Sequence, residues 1–252
     1  MEKLNSIQYL HDISYPGKCK KSGVIVDNKE YMIKFSSSET ERISLYSEMY
    51  GISLCNQLYM NTSKIRLISY ENQLCLLSEK WNIGDREQYF PLASFYEELL
   101  DVREQVAFTY SLFMDIVKSK MPNNYDNILN TFWGMFIVDY LTCNSRSAGN
   151  IGFLHGDYMR LAPIFDCSTS LETINDERYK NLSFPKLQLQ FDEEEQGFYD
   201  VLCSNLYCHK DVMLAKAKQL IDINLLGCTP NDSEGQYMLN VISYRYNELQ
   251  KI

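Results

Sequence analysis

Three polar side chains in the second half of the chain have the types and spacing of a small magnesium site. Asn144 and Asn150 lie at the two ends of a short polar loop, and Asp166 follows further along. Amide and carboxylate oxygens are ligands that Mg²⁺ accepts, and this ion keeps several of its waters, so a few protein ligands are enough. The residue types therefore predict a cation site built from an amide oxygen and a carboxylate.

The elements around these residues are predicted to hold them close together. The apolar side chains between Asp126 and Thr142 recur at three- and four-residue spacing, which predicts a helix. The central stretch, Phe132–Leu171, begins within this helix. After the polar loop, Ile151–Leu154 and Tyr158–Ala162 are predicted to pair as a short hairpin. Apolar elements on both sides of the loop then project the polar groups into one region.

This stretch resembles the catalytic segment of HipA-like serine/threonine kinases, which include HipA toxin kinases and CtkA-type proteins. Those kinases carry D-x-L-x-x-N-x-D-R-H-x-x-N-x-G-F, followed by L-A-P-x-[FY]-D. The matching residues here are Asp139, Leu141, Asn144, Asn150, Gly152, Phe153 and Leu161–Asp166. The resemblance implies that the chain uses ATP and Mg²⁺, with Asn150 and Asp166 as the metal ligands.

The middle of the segment departs from the family pattern. Between Asn144 and Asn150 the loop is one residue shorter, and the best alignment places Arg146 on the family's arginine, between Ser145 and Ser147. The aspartate that would orient and deprotonate the attacking hydroxyl is then missing. Because a serine hydroxyl does not replace a carboxylate as proton acceptor near neutral pH, the sequence favours nucleotide and metal binding over catalysis.

Two residues in the first half of the chain match a phosphate-binding lysine and its partner. Lys34 lies in the predicted strand Tyr31–Phe35, where a lysine usually faces water at a sheet edge. The resemblance implies instead that Lys34 contacts ATP phosphates. Glu48 lies on a predicted helix, Ser38–Leu58, and either pairs with Lys34 or is a solvated glutamate on the helix face.

A small basic loop, Pro16–Gly23, is a candidate phosphate-binding loop. Its backbone N–H groups could cradle an anion, and Lys18 and Ser22 are its candidate cofactor-binding side chains. The loop matches neither GxGxxG nor a Walker sequence, so an ordinary surface loop is an alternative interpretation. Ser22 is also the nearest equivalent of the loop serine that some members of the family autophosphorylate.

The order of the predicted elements indicates an α+β fold. Two hairpins, Gly23–Val26 with Tyr31–Phe35 and Lys64–Tyr70 with Gln73–Lys80, flank the first helix, and the rest of the chain is mostly helical. The later predicted helices are Leu92–Leu100, Val102–Lys120, Asp126–Thr142, Glu194–Leu206, Asp211–Asp222 and Ser233–Gln250. The resemblance implies a bilobal protein-kinase-like fold, with a small β-rich lobe at 1–81 and a larger helical lobe at 82–252. The polar, irregular stretch from Trp81 to Pro91 is the predicted boundary.

The composition limits the partners and the compartment. The chain has 252 residues, a formal net charge of -9 and a pI of about 4.9, which argues against direct contact with nucleic acid. Eight dispersed cysteines without a CxxC pair, no signal peptide and no segment of transmembrane length predict a cytoplasmic protein. The resemblance implies a nucleotide, a protein substrate and an antitoxin-like protein as partners.

Three functions remain open at this point. The first is an active kinase whose proton acceptor comes from elsewhere, for instance the substrate or Asp157. The second is a pseudokinase that binds nucleotide and acts as a regulatory or partner-binding module. The third is a plain α+β interaction protein in which the Asn and Asp residues only form turns. A natural loss and an engineered deletion would both produce the short loop.

Overall fold

A computed structural model describes residues 2–4, 6–10, 19–81, 86–91, 115, 117–144, 150–168, 180, 210–227 and 232–251. The strands in this part of the chain are β1 (Glu2–Lys3), β2 (Gln8–Leu10), β3 (Lys21–Val26), β4 (Lys29–Phe35), β5 (Ile65–Tyr70), β6 (Gln73–Glu79), β7 (Gln88–Pro91), β8 (Gly152–His155) and β9 (Met159–Leu161). The helices bounded in it are α1 (Glu39–Gln57), α2 (Tyr125–Thr142), α3 (Lys210–Leu220) and α4 (Ser233–Leu249), with short 3₁₀ turns at Pro122–Asn124 and Ile223–Leu226. The predicted α+β class is confirmed.

Two sheets organise the strands. The larger sheet has the order β1-β5-β6-β4-β3-β2, and all of its pairs are antiparallel except β1 with β5. The smaller sheet has the order β7-β8-β9 and is antiparallel. Of the candidate site residues, Lys34 lies in β4 of the large sheet and Asp166 lies in the segment that follows β9.

The two predicted hairpins of the large sheet form at turns of the same kind. Asp27 and Asn28 have φ of 50° and 61°, and Glu71 and Asn72 have φ of 50° and 60°. Two consecutive residues with positive φ give the turn whose twist matches the flanking strands, and Asp and Asn tolerate this conformation. The turns fix the register in which Lys34 of β4 lies opposite Lys21 of β3.

Helix α1 begins at Glu39, one residue after the predicted start at Ser38. Ser38 caps it by accepting a hydrogen bond from the backbone N–H of Glu41, and the Glu41 side chain accepts from the backbone of Ser38. This reciprocal pair is a capping box. The helix is buried over most of its length, so it packs as a central element rather than on the surface.

The core has two parts, one on each face of the large sheet. The major cluster joins α1, α2 and α4 around fully buried side chains such as Tyr50, Leu76 and Phe153. A smaller cluster, which includes Val24, Ile33 and Leu77, covers the other face. In the part of the chain that is described, no helix combines the length and the apolar character needed to cross a bilayer.

Three strands were not predicted from the sequence. Strands β1 and β2 lie in the polar first twenty residues, and β7 lies in the stretch that was expected to be irregular. Each is short, and β7 pairs with β8, which is distant in sequence, so no local pattern announces it. The predicted helices Leu92–Leu100 and Glu194–Leu206 lie outside the described residues. Of Val102–Lys120, residues 115 and 117–120 are described and helical.

Substituting Gly152 tests the packing of the small sheet. A Cβ atom at this position would lie 2.3 Å from the Phe90 carbonyl oxygen and 2.6 Å from the Tyr89 ring. We expect Gly152→Ala to lower the free energy of unfolding by about 2 kcal/mol, because β7 must move away. In Gly156→Ala the nearest atom is a Glu87 side-chain carbon at 2.9 Å, so chemical denaturation should show a smaller loss. Equal losses would contradict the assigned pairing of β7 with β8.

Candidate functional site

The centre of the candidate site is the ammonium group of Lys34. Its Nζ lies 2.6 Å from Glu48 Oε2 and 2.9 Å from Asp166 Oδ1. Lys34 comes from β4, Glu48 from α1 and Asp166 from the segment after β9, so three separate parts of the chain meet at this ammonium. We call Lys34, Glu48, Asp166 and Asn150 the Lys34 cluster.

Burial makes these charges interdependent. The Lys34 and Glu48 side chains are 5% and 3% exposed, and a buried charge is tolerated when it is paired. Burial alone would lower the pKa of Lys34, but the negative charges of Glu48 and then Asp166 raise it above its ordinary value. Burial has the largest effect on Glu48 and raises the pKa of its carboxyl, while the charge of Lys34 opposes that shift. The lysine is a permanent cation that the two carboxyl groups hold in place.

Asp166 is an ionised carboxylate with several donors around it. Asn150 Nδ2 donates to its Oδ2 at 2.9 Å, and Ser168 Oγ donates to its Oδ1 at 2.9 Å. Burial acts to raise the pKa of Asp166, but the charge and hydrogen bond of Lys34 outweigh it, and together with the bond from Ser168 they lower the pKa to about 2. Asp166 is therefore negatively charged at any physiological pH.

This donor set fits Mg²⁺. An ionised carboxylate and a neighbouring amide oxygen are hard ligands, and the remaining positions of such an ion are commonly filled by phosphate and water. The amide of Asn150 points its nitrogen at Asp166, so it would have to rotate for its oxygen to face an ion. Among the described residues, no group of three or more His, Cys, Asp or Glu side chains converges on a metal position.

Asn144 has a different environment from Asn150. Its backbone N–H donates to the carbonyl of Asp139 at 2.9 Å, and its Nδ2 donates to Asp139 Oδ1 at 2.8 Å. Cys143, with φ of 55°, ends α2 in the left-handed conformation just before it. The side chain of Asn144 thus fixes the end of α2, where the polar loop begins.

The segment that carries Asp166 is held by backbone hydrogen bonds and by aromatic packing. The backbone of Ile164 exchanges hydrogen bonds of 2.8 Å with Asn61 and Ser63. The next residue, Phe165, packs edge-on against Trp81 and Tyr89, with ring centroids 5.1 Å and 6.0 Å away. Asp166 itself has φ of 51°, a conformation that Asp tolerates. Its carboxylate is therefore presented by a rigid backbone.

The structure corrects the end of the loop predicted over Pro16–Gly23. Residues 21–23 lie in β3, with Ser22 opposite Ile33 in the sheet, and Ser22 is half-buried. Lys18, Ser145, Arg146 and Ser147 lie outside the described residues. The possible proton acceptor Asp157 lies in the exposed turn between β8 and β9, where Arg86 is 3.7 Å away.

Two residues near the cluster were missed by the sequence analysis. Lys21, opposite Lys34 in the sheet, helps to lower the pKa of Asp166 through its positive charge. Ser168 donates directly to Asp166. The spacing Asp166-x-Ser168 was a readable signal, because serine commonly bonds a polar group two residues away. Lys21 belongs to the basic stretch Pro16–Gly23 that the sequence singled out, but nothing in the sequence placed it beside Asp166, since that position depends on the register of two strands.

A separate cavity of about 150 Å³ lies between α2, α3 and the residues after α1. Met60, Trp133, Met213 and Lys216 are among the residues that line it, and no member of the Lys34 cluster does. The cavity is therefore not part of the candidate site.

Comparison with known proteins shows which solved structures this fold resembles. The structure is similar to the crystal structure of a Helicobacter pylori proinflammatory kinase, CtkA, with a TM-score of 0.67 and 16% sequence identity over 99% of this chain and 96% of that one. It is also similar to HipA in the Shewanella oneidensis MR-1 toxin–antitoxin complex of HipA, HipB and operator DNA, with a TM-score of 0.57 and 14% identity over 98% of this chain and 66% of HipA. No protein-family model and no curated protein sequence matches the chain.

These similarities establish a kinase-like fold of the CtkA and HipA type. They agree with the α+β architecture described above and with the fold that the motif resemblance implied. At these sequence identities the likeness is one of fold.

Removing the central ammonium should destabilise the protein. Lys34→Met leaves the buried carboxyl group of Glu48 and the half-buried one of Asp166 without their cation, so we expect a loss of roughly 3 kcal/mol in the free energy of unfolding at pH 7. The loss should shrink at pH 5, because a buried Glu48 without its partner binds a proton. Lys29→Met, also on β4 but 61% exposed and 3.8 Å from Glu79, is the matched control. Denaturation curves showing equal losses for the two variants would contradict the pairing.

The acid stability of the protein should report on Asp166. Because its pKa falls from 3.8 to about 2 on folding, its contribution to stability is complete above pH 4 and disappears as the pH falls towards 2. We expect the wild-type chain to lose about 2 kcal/mol more than Asp166→Asn between pH 5 and pH 2. If the stabilities of the two proteins in urea denaturation changed in parallel with pH, the cluster would not lower the pKa of Asp166.

Proposed function

We propose that this chain is a HipA-like serine/threonine kinase that binds ATP with Mg²⁺, and that its phosphotransfer is weak or absent. The observation that carries the proposal is the Lys34 cluster, in which a buried lysine pairs with a helix glutamate and with the aspartate of a later loop. This is the set of groups that kinase-type phosphoryl transfer uses to hold nucleotide and metal. The kinase-like fold supports the same assignment.

Each member of the cluster has a proposed role. Lys34 binds the phosphates, and Glu48 keeps the ammonium oriented towards them. Asp166 and Asn150 hold Mg²⁺, which would neutralise phosphate charge when bound. Ser22 and Lys18, at the start of β3 and before it, are proposed to approach the phosphates. The nucleotide would lie between a β-rich lobe at 1–81 and a helical lobe at 82–252.

A pseudokinase is the second candidate, and a specific feature favours it. The loop between Asn144 and Asn150 has the sequence Ser-Arg-Ser-Ala-Gly and contains no carboxylate. A hydroxyl substrate bound there would lack the residue that accepts its proton. Positioning and charge stabilisation provide much of the rate in phosphoryl transfer, so a slow reaction is compatible with this loop. In the alternative, nucleotide binding regulates contact with a partner.

The partners proposed for the chain follow from the same comparisons. A protein substrate would suit a serine/threonine kinase, and an antitoxin-like protein is suggested by the complex in which HipA of S. oneidensis is found with HipB and operator DNA. The net charge of -9 makes direct DNA contact by this chain unfavourable, so any operator contact would come from the partner.

Calorimetric titration with ATP tests the nucleotide site. We expect the wild-type chain to bind ATP more tightly with Mg²⁺ than without it, because Asp166 and Asn150 supply the metal ligands. Asp166→Ala should abolish the Mg²⁺-dependent part, whereas Asp126→Ala, an exposed acid at the start of α2, should bind as wild type does. A folded wild-type protein that gives no binding heat in either condition would refute the proposal.

Transfer of labelled phosphate from ATP then separates the two candidates. Incorporation into the chain itself or a general protein substrate, lost in Asp166→Ala, would identify an active kinase. Binding without incorporation would identify a pseudokinase.

A further inference from the structure

The helix that carries Glu48 is held between two different parts of the molecule. On one side of α1, Ser47 Oγ donates to the carbonyl of Cys167 at 3.5 Å, and Gly51 lies so close that an added Cβ would be 2.6 Å from Cys167 Cβ. Glu48 belongs to this side, next to the Asp166 segment. Residues two positions apart on a helix differ by about 200° in direction, so Tyr46 and Tyr50 face the opposite way.

The opposite side of α1 docks on the beginning of α4. Tyr46 donates its hydroxyl to Asp232, and Tyr50 donates to the carbonyl of Gly235 at 3.3 Å. One turn earlier on α1, Arg42 Nε donates to Glu234 Oε1 at 2.6 Å. Arg42, Tyr46 and Tyr50 recur at four-residue spacing, so they form one stripe along α1.

The close approach of the two helices depends on a residue without a side chain. At Gly235 an added Cβ would meet Tyr46 ring carbons at 3.1 Å and 3.3 Å and the Tyr50 hydroxyl at 3.3 Å. Asp232 has a second function, because it caps α4 by accepting from the backbone N–H of Gly235 at 3.5 Å. The same carboxylate therefore starts α4 and holds α1.

Helix α4 is also anchored to the helix that leads into the polar loop. Arg245 is buried, donates from Nε to the carbonyl of Tyr140 and lies 4.2 Å above the Tyr140 ring. Tyr140 is in the last turn of α2, just before Asn144. Helix α4 thus contacts both the helix that carries Glu48 and the helix that ends at the loop.

We propose that Tyr46 and Asp232 are positioning residues for Glu48, through which the last helix sets the geometry of the Lys34 cluster. The inference rests on the proposed nucleotide site for its effect on binding. An α-helix is rigid over the two residues between Tyr46 and Glu48, so a displacement of α1 at Tyr46 also displaces Glu48. Glu48 then loses its 2.6 Å contact with Lys34, and the ammonium is no longer oriented for phosphate.

Two variants remove the contact with little other change. Tyr46→Phe deletes only the hydroxyl, and Asp232→Ser keeps a capping side chain for α4 while removing the carboxylate from Tyr46. Tyr246→Phe is the matched control, because the Tyr246 hydroxyl also donates hydrogen bonds from α4, but to the backbone carbonyls of Lys218 and Ile221 at the end of α3 and not to α1.

The first measurement needs no nucleotide. Cys167 is fully buried against Gly51 of α1, and Cys75 is fully buried in β6. We expect Tyr46→Phe and Asp232→Ser to raise the alkylation rate of Cys167 relative to Cys75 about fivefold in the native protein. This is about the factor by which the loss of one ordinary hydrogen bond changes an opening equilibrium. Mass spectrometry resolves the two sites, and Tyr246→Phe should leave their ratio unchanged. An unchanged ratio in both test variants overturns the proposal.

The second measurement is the affinity for Mg²⁺ and ATP by calorimetry. Tyr46→Phe should weaken it about fivefold in the wild-type background and have no effect in Glu48→Gln, because the contact acts through Glu48. An equal loss in both backgrounds would indicate a general structural effect and overturn the positioning role. A wild-type chain that binds no ATP would refute the proposed function instead, and the alkylation ratio would then decide by itself whether Tyr46 and Asp232 hold α1.

Discussion

The ammonium group of Lys34 lies in the interior of the protein, and the rest of the structure must accommodate it. An unpaired charge at such a position would be strongly unfavourable, so the chain has to bring carboxyl groups to it. It does so from two directions, with Glu48 at 2.6 Å and Asp166 at 2.9 Å. The strand, the helix and the loop that carry these residues are therefore linked by one electrostatic requirement.

The packing around the cluster serves that requirement. Gly51 lets α1 approach the Asp166 segment on one side, where an added Cβ would lie 2.6 Å from Cys167 Cβ, and Gly235 allows a tight contact with α4 on the other. The edge-on and tilted packing of the Trp81, Tyr89 and Phe165 rings holds the backbone that presents Asp166. Rigid, closely packed supports of this kind keep charged groups in a fixed geometry, as the proposed nucleotide site would require.

In the proposed function, nucleotide binding and proton transfer depend on different parts of the chain. The groups that would hold phosphate and metal come from β4, α1 and the segment after β9, whereas the family's proton acceptor would lie in the loop between Asn144 and Asn150, which has no carboxylate here. A shorter loop can therefore lose the base while the cluster keeps its geometry. Core packing tolerates many combinations of apolar residues, so a fold similar to that of CtkA is compatible with only 16% sequence identity.

The sequence by itself determined the local elements and the identity of the charged residues. The position of α1, the two hairpin turns and the α+β order were readable because apolar periodicity and turn conformation depend on neighbouring residues. The motif order also singled out Lys34, Glu48, Asn150 and Asp166.

Tertiary structure decided what local patterns do not encode. The burial of Lys34, the place of Lys21 beside it, the pairing of β7 with β8 and the contact of Tyr46 with Asp232 join residues far apart in the chain. Such contacts follow from strand register and from the packing of whole elements, so the final geometry of the cluster appears only when the complete core is assembled.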